Sequence, residues 1–427
     1  MANTETSRLI DGLDFYKLTM GRFIWEHFPD VRVRYAFTNR TPFVALPKYV
    51  SKDAVAEDLS PLARAGFTTA EVAQLRAQPQ LQALFPAAYF DYLETLTLPP
   101  LEIQADNRRL HIETEGTWSE ALFWETPVLR AVNHRYCSAK LQEKEIAPAK
   151  AEAEGLRRLR EKTDVIRRFM PAAKIMPFGA RRSYSAPWER TVDDVLLEEI
   201  PDQLVGFSTV GEALRLGQRL VGTNAHELQM VLLAVHRITR EHPDATLRDH
   251  VANSLEHLLD LWWAMYGKTL SVALTDTYGT DFFLSIFGPE RAVQWRGFRQ
   301  DSGDPFEMGF RFLDFYRQHG IDAQKRDLLF SDGLDVQVMR GLAHEFGKQI
   351  EVGFGWGTNL TNDLLPRSVL MPLSIVMKPI SAVINGKTVS TAKLSDNPAK
   401  ATGDPELIAQ LREAVNYGTR PSQKIVY

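Results

Sequence analysis

A single cysteine, Cys137, among 427 residues rules out an internal disulfide and any cysteine-based zinc site, and it points to a reducing compartment. Its neighbours, HRYCSAKLQE, read as helix, where a lone thiol behaves as a small, semi-buried hydrophobe. No stretch approaches the roughly 18 uninterrupted apolar residues of a membrane span. The segment MANTETSRLIDG has no basic region followed by an apolar one, so the cytoplasm is the expected location. Charge of one sign is missing too. The 50 basic and 54 acidic residues leave a net charge of -4 with no long block of like charges, which argues against nucleic-acid and membrane-surface partners and for small molecules. What remains is ordinary globular material, 44% apolar and 24% charged, long enough for two or three domains.

The first third alternates element types. DFYKLTMGRFIWEHF (14–28) has helical spacing, VRVRYAFTNR (31–40) alternates as a half-buried strand, and Thr68 with Glu71 forms the signature of a capping box. LEIQADNRRLHIETEG (101–116) reads as two strands around an Asp-Asn turn. A long helical stretch follows to about 168, interrupted near Pro148. Then come six short apolar segments, each followed by a Gly- or Asp-containing loop and a helical pattern. They start near 174, 204, 270, 295, 328 and 351. Strand, loop and helix in repetition mean βα units and a parallel sheet, closed as a doubly wound sheet or a (β/α) barrel; functional residues just after each strand suit the barrel's C-terminal face, so an irregular (β/α) barrel is expected. In 375–396 the pair Asn385-Gly386 between alternating apolar residues predicts a hairpin, expected to pack back on the N-terminal module.

Two familiar nucleotide motifs fail on inspection. Gly267-Lys268-Thr269 and Gly386-Lys387-Thr388 imitate a P-loop, yet Trp262 and Ser381 stand where its first glycine is required. Gly353, Gly355 and Gly357 imitate a dinucleotide fingerprint with the third glycine one residue early. A Gly-rich turn at a strand end suits a phosphate instead, because it presents backbone N–H groups and a helix N-terminus; SDGLD (331–335) is built alike. The plain alternative is that these glycines serve only the turns. RQDSGDP (299–305) places Arg299 and Asp301 at a strand end, where they could bind a phosphate oxygen and a sugar hydroxyl or magnesium, while Asp304 before Pro305 reads as an N-cap. FGARR sets Phe178 beside Arg181 and Arg182, an aromatic face with guanidinium groups that would suit a flat heteroaromatic acid. In GTNAHE, Asn224 and Glu227 read as a capping pair, which puts His226 in a first helical turn. Such a histidine is usually solvated; the helix N-terminus would nonetheless keep it neutral and welcome a phosphoryl group.

DFYKLTM (14–20), FGARR, GTNAHE (222–227), TDTYGTD (275–281), RQDSGDP, SDGLD, FGWGTN (354–359) and KLSDNPAKATGDPE (393–406), in this order over nearly the whole chain, resemble the nicotinate phosphoribosyltransferase family. The resemblance implies an α/β protein with the type II phosphoribosyltransferase fold. It would have an N-terminal α+β sandwich domain over 1–135, completed by about 370–427, and an irregular (β/α) barrel over 136–369. It implies ATP-dependent joining of nicotinate to phosphoribosyl pyrophosphate, with magnesium, and a transient phosphohistidine at His226. By resemblance Tyr16 and Phe178 would sandwich the pyridine ring, and in some relatives the tyrosine comes from a second subunit, so a homodimer is one arrangement allowed. Arg181 and Arg299 would meet phosphates or carboxylate. Asp301 and Asp332 would meet ribose hydroxyls or the metal, and Gly333, Gly355, Gly357 and Thr358 the 5′-phosphate. Asp276 is the candidate to orient the second nitrogen of His226. Relatives that take nicotinamide carry an aspartate after the Gly-Phe pair where this chain has Ser208 and Thr209, whose hydroxyls would suit a carboxylate. The other readings are a nicotinamide enzyme, a different phosphosugar-binding barrel enzyme and a catalytically silent nucleotide-binding relative.

Overall fold

A computed structural model describes residues 8–239 and 244–418; the N-terminal MANTETS and the end of the expected C-terminal module lie outside the described residues. The first third supplies strands β1 (Arg32–Asn39), β2 (Leu101–Ala105) and β3 (Leu110–Thr117). The middle supplies β4 (Lys174–Pro177), β5 (Val272–Leu274), β6 (Gly297–Gln300), β7 (Asp327–Phe330) and β8 (Glu351–Trp356), and the last part β9 (Ile375–Ile384) and β10 (Lys387–Ser390).

One sheet is antiparallel in the order β10-β9-β1-β3-β2, so strands from both ends of the chain share it. Alternation sets its faces: Val33, Tyr35 and Phe37 of β1 and Leu110 and Ile112 of β3 are buried, with Arg32, Arg34 and His111 outward. The β9–β10 turn has Asn385 at φ 51° and Gly386 at φ 74°, the left-handed pair that a two-residue hairpin needs. Pro379 sits inside β9, and the register with β1 slips beside it, so the missing N–H falls at a bulge. The Thr68–Glu71 capping box closes from both sides, and Pro148 opens the helix Pro148–Phe169 just after the break in the long helical stretch.

The second sheet is parallel in the order β4-β8-β7-β6-β5, with β7 and β8 buried almost throughout, as a sheet covered on both faces requires. Two parallel bridges extend it past β4, Ile175 with Leu204 and Phe207 with Leu220. The expected strand near 204 is therefore reduced to bridge residues. Among the described residues no ladder joins β5 to Leu220, so the barrel is incomplete and irregular. The helices Glu125–Glu143 and His226–Thr239 pack on β9 and tie the two sheets into one body. Among the described residues, no helix is long and apolar enough to cross a membrane.

Candidate active site

Parallel strands all end on one side, so the loops after β4, β6, β7 and β8 and the bridge segments converge there. They enclose a cavity of about 460 Å³ that also takes Arg40, Lys378, Lys393 and Lys400 from the antiparallel module and the C-terminal segment. Of the residues singled out in the sequence, Tyr16, Phe178, Arg181, Ser208, His226, Arg299, Asp301, Asp332, Gly333, Gly355, Gly357 and Thr358 all line it. One chain brings Tyr16 and Phe178 to the same cavity.

His226 opens the helix His226–Thr239 but is 5% exposed, not solvated. Its Nε2 lies 2.9 Å from Asp301 Oδ2 and 3.7 Å from Asp276 Oδ1, and its Nδ1 lies 2.8 Å from Thr277 Oγ1. Burial, helped by the Lys393 ammonium, pushes the imidazole down to about 4, so the ring is neutral at pH 7. Burial would raise the Asp301 carboxyl, yet Arg299, His226 and Lys400 hold it well below the usual range. Nε2–H therefore donates to Asp301, and Nδ1 accepts the Thr277 hydroxyl. Because a hydroxyl can also accept, Thr277 can serve the opposite tautomer, which carries the proton on Nδ1 and bares the Nε2 lone pair at the cost of the bond to Asp301.

Three expectations are corrected here. Asn224 and Glu227 do not form a capping pair: among the described residues Asn224 Oδ1 has no hydrogen-bond partner, and the Glu227 carboxylate turns inward to Lys17 at 2.8 Å. Buried Lys17 needs counter-ions more than the helix needs a cap. The second nitrogen of His226 is held by Thr277, not by Asp276, whose Oδ2 accepts from Ser302 at 2.5 Å and Ser395 at 3.2 Å behind the cavity. Thr209 is buried and donates to Glu189 at 2.7 Å, and Ser208 donates to Asp14 at 2.8 Å, so neither hydroxyl is a free donor for a carboxylate.

Gly355 has a steric reason: a Cβ there would stand 2.5 Å from Phe178 Cδ2, so the ring seats directly on the glycine backbone. Tyr16 accepts from Arg181 Nη1 at 3.2 Å. Asp332 is engaged by Lys400 at 2.5 Å, which leaves Asp301 and Asp276 as the better pair for a cation; among the described residues Asp276 Oδ1 is buried without a hydrogen bond, and His226, Asp276 and Asp301 offer atoms within 4.8 Å of one another. Oxygen donors of this kind suit a hard dication such as magnesium.

Sequence reading missed the cations from the far end of the chain. Lys393 is 3% exposed, and burial lowers it to about 8 against the opposite pull of Asp276 and Asp301. Lys400 reaches Asp332, and Arg40 reaches the Lys400 carbonyl at 3.1 Å. The two lysines of KLSDNPAK were the available signal, since a seven-residue spacing with a turn between brings both to one side.

A neutral imidazole among carboxylates and cations, glycine-rich strand ends and an aromatic–arginine pocket define an enzyme site for a phosphorylated sugar and a flat acid. The family comparisons make this particular. The model described as the nicotinate phosphoribosyltransferase family matches residues 173–419, and the model of that family's N-terminal domain matches 12–133; the chain belongs to this family. A nicotinate phosphoribosyltransferase crystal structure from Porphyromonas gingivalis is similar at TM-score 0.83 and 26% identity, covering 96% of this chain and 99% of that one. One from Vibrio cholerae is similar at TM-score 0.82 and 29% identity, covering 97% and 94%.

Proposed function

We propose that the chain joins nicotinate to phosphoribosyl pyrophosphate in an ATP-driven cycle in which His226 is phosphorylated and dephosphorylated. Family membership and the two similar nicotinate phosphoribosyltransferase structures support the synthesis of nicotinate mononucleotide. The ATP cycle rests on one observation above all: a buried, neutral His226 at the cavity wall, with its Nε2 2.9 Å from Asp301 and 3.7 Å from Asp276.

In the transfer step the pyridine nitrogen lone pair forms the bond to C1 of the sugar, and the bond from C1 to the pyrophosphate oxygen breaks with its electrons leaving on pyrophosphate. The sugar passes through a cationic state, so fixing the ring against C1 and stabilising the departing anion supply most of the rate. Tyr16 and Phe178 hold the ring, and Arg181 meets the carboxylate. Arg299, Lys393 and Lys400 offer charge to the phosphates. Asp301 and Asp276 would hold magnesium, which would neutralise charge on the pyrophosphate.

In the phosphoryl step the Nε2 lone pair attacks the γ-phosphorus of ATP, the bond to the bridging oxygen breaks, and ADP leaves. The reacting tautomer keeps its one proton on Nδ1, hydrogen-bonded to the Thr277 oxygen throughout, and Asp301, with no Nε2 proton to accept, would face the cation. Water later breaks the N–P bond and returns phosphate. Transfer itself has no chemical need of ATP. The phosphoryl group adds nearly two negative charges beside the pyrophosphate region and so would strengthen magnesium and loop binding there until hydrolysis loosens the site. The test is turnover of nicotinate, phosphoribosyl pyrophosphate and magnesium with and without ATP, following nicotinate mononucleotide and ADP. ADP formed with the nucleotide supports the cycle. Turnover indifferent to ATP, or preference for nicotinamide, contradicts it.

A further inference from the structure

One buried charge network at the cavity centres on a residue without an assigned role. Glu125 opens the helix Glu125–Glu143 and is 1% exposed. Its Oε2 lies 2.7 Å from Lys17 Nζ, and its Oε1 accepts from Lys378 Nζ at 2.9 Å. The same Oε2 accepts the Tyr16 hydroxyl at 3.2 Å, and that hydroxyl accepts from Arg181 Nη1 at 3.2 Å. A phenol has one proton. With it donated to Glu125, the oxygen lone pairs face Arg181, and the chain of donors runs one way, Arg181 to Tyr16 to Glu125.

We infer that Glu125 is a positioning residue for the pyridine end of the cavity, holding Tyr16 upright and, through it, Arg181 where an aromatic acid meets both. The inference rests on the reading that nicotinate lies between Tyr16 and Phe178. Tyr16 and Arg181 stand on different segments, the helix Phe15–His27 and the turn Ala180–Arg182, and Glu125 stands on a third. The hydroxyl joins the first two at the cavity by accepting from Arg181, so its direction fixes the ring and the guanidinium together. Lys17 and Lys378 serve the carboxylate in turn: a buried carboxylate persists as a charge only when paired, and together they hold Glu125 below the usual range despite its burial. Lys17 also reaches Glu227, the residue after His226, at 2.8 Å, so the support of the pyridine end is continuous with the helix carrying the histidine.

A buried ion network can also serve stability alone, and a double-mutant cycle separates the two roles. Glu125→Gln and Tyr16→Phe are made singly and together, and thermal midpoint, kcat and the KM values of both substrates are measured. Positioning predicts that each single variant raises the nicotinate KM about tenfold, the double variant no further, with kcat and the phosphoribosyl pyrophosphate KM within about twofold of wild type. A stability role alone predicts a lower midpoint with an unchanged nicotinate KM, or multiplying effects in the double variant; either overturns the inference. Should Glu125→Gln fail to fold, Glu125→Asp keeps the charge and withdraws the oxygen, and its nicotinate KM must still rise at a near-normal midpoint. Tyr16→Ala keeps the two failures apart. An unchanged nicotinate KM in Tyr16→Ala shows that the pyridine lies elsewhere and removes the basis of the inference. A raised one beside a normal Glu125→Gln leaves the reading standing and refutes the positioning role.

Discussion

Replacing Gly355 by alanine should unseat Phe178. The new Cβ would stand 2.5 and 2.6 Å from Phe178 Cδ2 and Cε2 and 3.0 Å from Ser331 Cβ. Carbon atoms rest about 3.5–4.0 Å apart. The ring must therefore retreat by about 1 Å, and overpacking of this kind costs about 1–3 kcal/mol of stability. Losing the aromatic stack costs about a further 0.5–1.5 kcal/mol of nicotinate binding, a KM rise of about two- to twelvefold. Thermal unfolding and steady-state kinetics read the two effects separately. Phe178→Leu in the same chain should relieve the overlap and restore the midpoint while leaving the nicotinate KM high. A Gly355→Ala protein with wild-type midpoint and wild-type KM would refute the claim that Phe178 needs this backbone to seat against the ring.

Three further outcomes follow from the buried groups. Lys393 loses its charge as pH rises through about 8, so phosphoribosyl pyrophosphate affinity should fall across that range in wild type, whereas Lys393→Met should bind about tenfold more weakly at pH 7 with the step removed; a step kept in the variant would exonerate the lysine. Folded His226 takes up a proton only near pH 4, but the unfolded chain does so at about 6.5, so His226 contributes stability that is lost as pH falls through that window by up to about 1.4 kcal/mol per unit. His226→Gln should flatten the slope in urea titrations, and an unchanged slope would contradict the burial of a neutral ring. Thr209→Val should destabilise by about 1–3 kcal/mol, because Glu189 loses a donor, without changing the nicotinate KM; a changed KM would return Thr209 to the site.

The fold was legible wherever a local rule decided it. The alternation of 31–40, the Thr68–Glu71 box and Asn385-Gly386 each concern neighbours in sequence, and each appears as expected. The segment near 204 was harder to read, because Phe207 finds its partner at Leu220 and a seven-residue helix lies between them; only closure of the sheet limits that strand to bridges. Strand-end residues were legible for a similar reason, since parallel strands gather whatever follows them. Side chains whose direction depends on distant charges were not. Glu227 reads as a cap in sequence, but Lys17 lies opposite it from 210 residues away. Lys393 enters the cavity only because the C-terminal segment docks across it, with Leu394 N–H bonded to the Thr277 carbonyl at 2.7 Å.

Phosphorylation of His226 is tested most directly by incubating the protein with magnesium and ATP labelled at the γ-phosphate, quenching in base, and mapping the label by peptide mass spectrometry. A base-stable, acid-labile phosphoryl group on the peptide carrying His226, at Nε2, increased by phosphoribosyl pyrophosphate and absent from His226→Asn, is the predicted result. Nicotinate-dependent ATP hydrolysis with the label on another residue, or persisting undiminished in His226→Asn, would contradict it.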